Sequence, residues 1–185
     1  MKVFCIGRNK TGTTSMEGWM SNAGLKVCPQ PKGEDLLREW ANGSYKPFEV
    51  LSTTFDGFQD ICWNLDGVPQ AMYKMHPDAF FILTMRENAD VWYRSLIRYM
   101  NNTKPKKMAG YSREERHKLI YGCSILDEKQ TKKHYNDYNR KMIDFFESNN
   151  ANFMQLTIPS SNISERLADF TGLKVVRFPH ANKSK

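Results

Sequence analysis

The sequence predicts a single α/β domain of three layers, in which helices cover both faces of a parallel β-sheet. Apolar segments of strand length alternate along the chain with segments of helical periodicity, and this alternation is typical of strands joined by helical crossovers. The clearest strand lies over residues 79–85 and is apolar almost throughout, as expected of a strand buried on both faces. The chain has 185 residues, which suits one such domain over residues 1–185.

The first half of the chain contains two predicted strands and three predicted helices. β-Branched and aromatic residues bounded by glycine indicate strands, and apolar residues at helical spacing indicate helices. Residues 43–57 fit neither pattern and are predicted to form a loop. The predicted strands cover residues 2–7 and 58–62, and the predicted helices cover residues 13–23, 34–40 and 69–75.

Helix-start signals are clearer in the second half. Asn88 is placed to cap one helix, and Ser112-Arg113-Glu114-Glu115 has the form of a capping box at the start of another. A later helix carries aromatic and methionine residues on one stripe, as expected of a face packed on the core. The predicted strands cover residues 79–85 and 153–158, and the predicted helices cover residues 89–100, 112–121, 127–147 and 164–170.

Composition narrows the class of protein. Hydrophobic residues make up 40% and charged residues 25%, as in a globular chain, and the longest apolar run is too short to cross a bilayer. The N-terminal segment lacks the pattern of a secretory signal, so a cytoplasmic location is expected. A net charge of +7 indicates an anionic partner. Nucleic acid, an acidic membrane surface and a multiply charged small molecule all fit this charge.

The four cysteines indicate a reduced protein. Cys5, Cys28, Cys62 and Cys123 are scattered, with no pair at the spacing of a metal site and no histidine placed to complete one. Free cysteine prefers buried positions, so these thiols are predicted to be structural. No metal site is expected from the sequence.

The segment from Gly7 to Ser15, Gly-Arg-Asn-Lys-Thr-Gly-Thr-Thr-Ser, predicts an anion site between the first strand and the first helix. Backbone N–H groups at a helix N-terminus point towards an anion, and the helix dipole favours negative charge. In the loop that binds nucleoside triphosphates, a lysine directly follows the second glycine. Here Thr13 follows Gly12, and the lysine, Lys10, lies inside the loop. A kinase of the P-loop class is the alternative enzyme, and a basic nucleic-acid-binding module is the alternative without catalysis.

Three segments resemble motifs of the sulfotransferases that use 3′-phosphoadenylyl sulfate (PAPS). Lys10-Thr11-Gly12-Thr13-Thr14-Ser15 resembles their 5′-phosphosulfate loop. Ile82-Leu83-Thr84-Met85-Arg86, followed by Trp92-Tyr93-Arg94-Ser95, is similar to their 3′-phosphate motif, an arginine at a strand end and a serine on the next helix. Phe178-Pro179-His180-Ala181-Asn182-Lys183 is similar to the end of a compact branch of the family, which also carries an aspartate in the position of Asp60. The resemblance covers nearly the whole chain and implies the P-loop-NTPase-like sulfotransferase fold.

The resemblance implies two catalytic residues. Lys10 is expected to stabilise the negative charge that grows on the bridging oxygen of the departing nucleotide. Asp60 is expected to act as general base for the acceptor hydroxyl. Asp66 and His76 are the alternative bases, although His76 also stands at a predicted helix end, where a capping role is expected.

Further residues are implied in binding PAPS. The forked guanidinium of Arg86 suits the 3′-phosphate, and Ser95 adds a hydroxyl donor. The usual proline after the arginine is missing and the interval to Ser95 is one residue longer, so Arg94 and Arg98 are alternative partners. The residues expected to bind the donor are Arg8, Lys10, Thr11, Gly12, Thr13, Thr14, Ser15, Arg86, Ser95 and Lys183.

The acceptor is expected to be a hydroxyl group of a small molecule or a carbohydrate. Residues 43–58 and the basic residues 104–111 are the predicted walls of its pocket, and their charge leaves an anionic acceptor such as an acidic sugar open. Trp63, Trp92 and Tyr93 either line this pocket or belong to the core. The resemblance implies no metal, nucleic acid or membrane as a partner, and the oligomeric state is left open.

Overall fold

Four parallel strands form one sheet at the centre of the structure, a computed structural model that describes residues 1–179. The strands are β1 (Val3–Cys5), β2 (Gly57–Phe58), β3 (Phe80–Met85) and β4 (Asn152–Thr157). Their order across the sheet is β2-β1-β3-β4, and β3 pairs with β4 along its whole length. The predicted α/β class with a parallel sheet is therefore confirmed.

Nine helices surround the sheet within residues 1–179. Asn88 caps its helix by accepting a hydrogen bond from the backbone N–H of Val91, and Ser112 forms the predicted capping box with Glu115. The helices are α1 (Thr13–Asn22), α2 (Gln30–Glu34), α3 (Leu37–Ala41), α4 (Lys46–Thr54), α5 (Val68–Met75), α6 (Ala89–Asn102), α7 (Arg113–Tyr121), α8 (Glu128–Ser148) and α9 (Ile163–Thr171).

The sheet is buried on both faces because side chains of a strand alternate between them. Val3 and Cys5 of β1 face a cluster formed with α1 and α9, where Trp19 is fully buried. Phe4 points to the opposite face and packs in the larger cluster, which includes residues of α4 to α8. Burial of each large apolar side chain contributes about 1.5–3 kcal/mol, so the two clusters supply the main stabilisation of the three layers.

Three predicted elements are corrected by the structure. The predicted loop over residues 43–57 contains α4, whose short buried face of Phe48 and Ser52 gives little periodic signal. The predicted strand over residues 58–62 is reduced to β2, since Asp60 adopts a left-handed φ of 61° that ends the extended backbone. The predicted helix over residues 34–40 is divided between α2 and α3.

The chain reverses direction across the sheet between β1 and β3. From β1 it crosses to β2 on one side, and from β3 it crosses to β4 on the other, although β1 and β3 are neighbours. Connections that leave adjacent strands in opposite directions open a crevice at their carboxyl ends, where ligands bind in open α/β sheets. The topology therefore places a candidate site beside Gly7 and Arg86.

Three further properties concern membrane-spanning helices, metal-binding groups and the state of the cysteines. No helix among residues 1–179 has the length and apolar character needed to span a bilayer. The same residues hold no group of three or more side chains placed to bind a metal ion. All four cysteines are free thiols; Cys5, Cys28 and Cys62 are buried as predicted, whereas Cys123 is half-buried.

Candidate functional site

A cleft of about 860 Å³ opens at the carboxyl ends of β1 and β3. Its floor is the loop between β1 and α1, and its walls come from α2, α6, α7, the end of β2 and residues 102–108. Of the residues expected to bind the donor, it brings together Lys10, Gly12, Thr13, Thr14, Ser15, Arg86 and Ser95.

The loop beneath the cleft is held in a tight turn. Gly12 has a φ of 98°, which favours glycine, and a Cβ there would also lie 2.8 Å from Cδ1 of Ile158, which would have to move. The hydroxyl of Thr11 donates to the carbonyl of Arg8 over 2.6 Å and lies 2.7 Å from the hydroxyl of Thr84 on β3. This buried contact fixes the loop to the sheet, and Thr11 itself does not line the cleft.

Lys10 and Arg86 meet at the bottom of the cleft. Nε of Arg86 donates to the carbonyl of Lys10 over 2.8 Å, and Nη1 donates to the carbonyl of Ile158 over 3.0 Å. The ammonium of Lys10 lies 4.0 Å from the centre of the Tyr99 ring, a cation–π contact. Burial in the cleft lowers the pKa of Lys10, and the nearby Asp60 carboxylate opposes this shift.

Asp60 lies in the wall of the cleft beside the start of α1. One carboxylate oxygen accepts a hydrogen bond from the hydroxyl of Thr13 over 2.9 Å, and the other accepts the backbone N–H of Ile61 over 2.9 Å. Burial raises the pKa of Asp60, although these hydrogen bonds and the charge of Lys10 act in the opposite direction. The carboxylate of Asp60 therefore lies in the same cleft as Lys10, with a pKa above the ordinary value of aspartate.

The two alternative bases lie outside the cleft. Asp66 pairs with Arg8 over 2.5 Å and stands 3.7 Å from the ammonium of Lys141. His76 occupies the C-cap of α5, as its position before proline predicted, and its Nε2 lies 2.8 Å from the hydroxyl of Ser52. Of the three candidates, the structure brings only Asp60 together with Lys10.

The side chain of Arg8 points away from the cleft into the core. It is 1% exposed, stacks 3.7 Å from the centre of the Tyr138 ring, and donates to the carbonyl of Asn64 over 2.7 Å. Nη2 also lies 2.6 Å from Nε2 of His134. Only the backbone of Arg8 is therefore available to contact a ligand in the cleft. Its guanidinium instead anchors the loop between β1 and α1 to the core.

Replacing Arg8 by methionine is expected to lower the free energy of unfolding by about 2–3 kcal/mol, because buried polar groups lose their shared partner. The matched control is Lys141→Met, which removes the other cation beside Asp66 but is 54% exposed. That change is expected to cost less than about 1 kcal/mol. Urea unfolding followed by tryptophan fluorescence measures both, and equal losses would contradict the anchoring role of Arg8.

Of the residues predicted to bind the 3′-phosphate on α6, some line the cleft and one does not. Ser95 and Arg98 line the cleft from α6, whereas Arg94 is exposed and lies outside the lining. Trp92 and Tyr93, which precede Ser95, are buried in the core together with Trp63. The aromatic residues therefore belong to the core and not to an acceptor pocket.

Several lining residues were missed by sequence reasoning. Glu34 of α2 faces the cleft, as do Arg116 and His117 of α7. No local sequence pattern marks these residues, because the packing of α2 and α7 brings them to the same cleft. Residues 104–111, predicted as a wall of the acceptor pocket, contribute Lys104, Lys106 and Met108 to the lining of this cleft. Residues 43–58 contribute none, since α4 packs against α5 in the larger core cluster.

The C-terminal segment is anchored up to the end of the described residues. Phe178 is buried, and its backbone N–H donates to the hydroxyl of Ser164 over 2.9 Å. Pro179 lies so close to Gly18 of α1 that a Cβ at this glycine would approach it to 2.8 Å. The predicted donor contact of Lys183 falls outside the described residues.

Comparison with protein families gives one match. The family model described as a sulfotransferase domain matches residues 2–185. Proteins of curated function give no significant match. The matched range contains the strand–loop–helix at Lys10, the strand end at Arg86 and the helix that carries Ser95. With its parallel sheet and the cationic cleft at the reversal point, the chain belongs to the sulfotransferase family, whose members transfer sulfuryl groups.

Proposed function

We propose that this sulfotransferase takes its sulfuryl group from PAPS and transfers it to an acceptor hydroxyl by in-line displacement. The observation that carries the proposal is the pairing of Lys10 with Arg86. Nε of Arg86 donates to the backbone carbonyl of Lys10 over 2.8 Å, and this bond holds the two cationic residues at neighbouring points of one cleft, beside the N-terminus of α1. PAPS carries a phosphosulfate and a separate 3′-phosphate, and it therefore requires cationic groups at two points.

The residues present fit this donor. The N-terminus of α1 offers backbone N–H groups, and Thr13, Thr14 and Ser15 line the adjoining cleft. Arg86 uses Nε and Nη1 to hold backbone carbonyls, so Nη2 is the group we assign to the 3′-phosphate, with the hydroxyl of Ser95. A volume of about 860 Å³ is within the range of nucleotide-sized ligand sites.

Lys10 is the residue we assign to stabilisation of the leaving group. When PAPS is bound, its bridging oxygen gains negative charge as the bond to sulfur breaks. A lysine held by the loop backbone can place its ammonium on that oxygen, and this interaction strengthens as charge develops. The contact of this ammonium with Tyr99, which also lines the cleft, supports the assignment.

Asp60 is the group we assign to proton removal. It accepts the proton of the acceptor hydroxyl while the acceptor oxygen forms its bond to sulfur, and the products are the sulfated acceptor and adenosine 3′,5′-bisphosphate. Its raised pKa suits this role, since a more basic carboxylate takes up the proton more readily. The hydrogen bond from Thr13 fixes the carboxylate next to the loop.

Nucleotide binding tests the choice of donor. We expect adenosine 3′,5′-bisphosphate to bind at least about 100-fold more tightly than adenosine 5′-monophosphate without added magnesium, because hydrogen bonds to a charged phosphate contribute about 1.5–3 kcal/mol each. Ser95→Ala should weaken the bisphosphate about tenfold and leave the monophosphate unchanged. Isothermal titration calorimetry measures both nucleotides.

The control is Arg94→Gln, a change at the exposed neighbour of Ser95 that does not line the cleft. It should leave both affinities unchanged, whereas Arg98→Gln, inside the cleft, should weaken the bisphosphate. Binding of ATP that depends on magnesium, with no preference for the 3′-phosphate, would instead support a kinase.

A further inference from the structure

The residues assigned to sulfuryl transfer, Lys10 and Asp60, form the transfer site. The lining of the cleft also extends along α7. The C-terminal end of this helix is fixed to the loop between β1 and α1, because the hydroxyl of Tyr121 donates to Oδ1 of Asn9 over 2.8 Å. At a rise of about 1.5 Å per residue, Arg116 lies about 7.5 Å and Arg113 about 12 Å along the helix axis from Tyr121. The N-terminal half of α7 therefore forms the far end of the cleft, measured from the contact of Tyr121 with Asn9.

This far end is strongly basic. Lys104 and Lys106 of the loop, with Arg113 and Arg116 of α7, all line it. Glu34 is the carboxylate on the opposite wall, and its oxygen lies 4.0 Å from the ammonium of Lys106. Four cations face one carboxylate, so the far end keeps an excess of positive charge after Glu34 is paired.

The loop that presents the lysines is held in place by arginine side chains. The guanidinium of Arg113 donates to the carbonyls of Met100, Thr103 and Lys104 at 2.9, 2.9 and 2.7 Å. Nη1 of Arg116 donates to the carbonyl of Lys106 over 2.9 Å.

A third arginine, Arg38 of α3, donates to the carbonyl of Ala109 over 3.1 Å. Held at several points along its length, the loop presents its lysines from a fixed backbone.

His117 lies on α7 between Arg116 and Tyr121. It is 8% exposed, lines the cleft, and its Nδ1 has no hydrogen-bond partner among residues 1–179. Burial, reinforced by the charges of Arg116 and Arg113, lowers the pKa of His117 to about 4, so the ring is neutral at pH 7. A buried ring nitrogen without a partner is costly, and a bound ligand can remove that cost.

We propose that the far end of the cleft is an acceptor subsite for an anionic group. The acceptor carries a carboxylate or a sulfate at a position separate from its reacting hydroxyl. Lys104, Lys106 and Arg116 bind this group, and Nδ1 of His117 hydrogen-bonds the acceptor between the two ends. The inference rests on the proposed function for the transfer site and adds the chemical class of the acceptor.

Matched oligosaccharides test the subsite. The first is an unsulfated hexasaccharide of alternating glucuronic acid and N-acetylhexosamine, the second is its carboxyl-reduced neutral form, and the third is the neutral form carrying 6-sulfates. Dissociation constants are measured with adenosine 3′,5′-bisphosphate bound, and transfer from radiolabelled PAPS is measured in parallel. At least one anionic form should bind about tenfold or more tightly than the neutral form. Comparing the two anionic forms identifies carboxylate or sulfate as the recognised group.

The variant is Lys104→Gln with Lys106→Gln, which should reduce the anionic preference about tenfold and leave nucleotide affinity unchanged. The matched control is Lys107→Gln with Lys129→Gln, which removes the same charge from exposed positions outside the cleft. This control should keep the full preference.

Two outcomes overturn the inference: neither anionic form binds more tightly than the neutral form, or the cleft variant and the control behave alike. If the three saccharides bind with the expected affinities but adenosine 3′,5′-bisphosphate does not bind, the result contradicts the proposed donor instead.

Discussion

Replacing Lys10 by alanine is expected to lower kcat for sulfuryl transfer by about 10²–10³-fold or more while the protein stays folded. A positioned charge at the atom where negative charge develops is worth a factor of about 10²–10³ in kcat, and Lys10 is the loop cation in the cleft. Its side chain is half-buried and makes a cation–π contact with Tyr99, which contributes only about 0.5–1 kcal/mol at an exposed ring. The loss in stability should therefore be small. Transfer from radiolabelled PAPS and thermal unfolding are the two measurements.

The control for Lys10 is a lysine in a similar contact elsewhere. The ammonium of Lys26 lies 5.1 Å from the centre of the Phe55 ring, outside the cleft. Lys26→Ala should turn over normally and show a comparable small change in stability. Near-normal turnover in Lys10→Ala would remove Lys10 from the mechanism, whatever its effect on stability.

Asp60→Asn is expected to lower kcat by about 10²–10⁴-fold, the usual contribution of general base catalysis. The amide oxygen can still accept the backbone N–H of Ile61, and the amide N–H can donate to the hydroxyl oxygen of Thr13, so the wall of the cleft should keep its shape. The affinity for adenosine 3′,5′-bisphosphate should change little. Single-turnover kinetics with saturating PAPS separates the chemical step from donor binding.

The pH profile gives a second measurement on Asp60. A base acts in its deprotonated form, so activity should fall as pH drops through a pKa that burial raises above the ordinary value of aspartate. The charge of Glu34 also raises this pKa, so Glu34→Gln should move the acidic limb to lower pH without lowering activity at high pH. In Asp60→Asn the limb should disappear. An unchanged limb in that variant would assign the base to another group.

Local sequence patterns predicted most elements because their signals are local. A continuous apolar run marks β3, and the capping residues Asn88 and Ser112 are bound as the sequence indicated. The helix α4 was missed because only Phe48 and Ser52 are buried in it, too few to give a helical period. Similarly, β2 is too short for a recognisable alternation, and its limit is set by the backbone of Asp60.

The sequence by itself determined the family, and it predicted an anion site in the loop between β1 and α1, because glycine, lysine and hydroxyl residues stand there within one strand–loop–helix unit. Only the tertiary structure decided which side of that loop each side chain faces. Arg8 and Lys10 are two residues apart, yet one is buried against Tyr138 and the other lines the cleft.

The grouping of residues at the far end of the cleft could likewise not be predicted from the sequence. Glu34, Lys106 and Arg116 lie on three separate elements, and no local pattern relates them. They face one another because the helices must cover the same sheet face to bury its apolar side chains, and burial depends on the whole chain at once. Sequence therefore determined the chemistry of the loop, and packing decided what surrounds it.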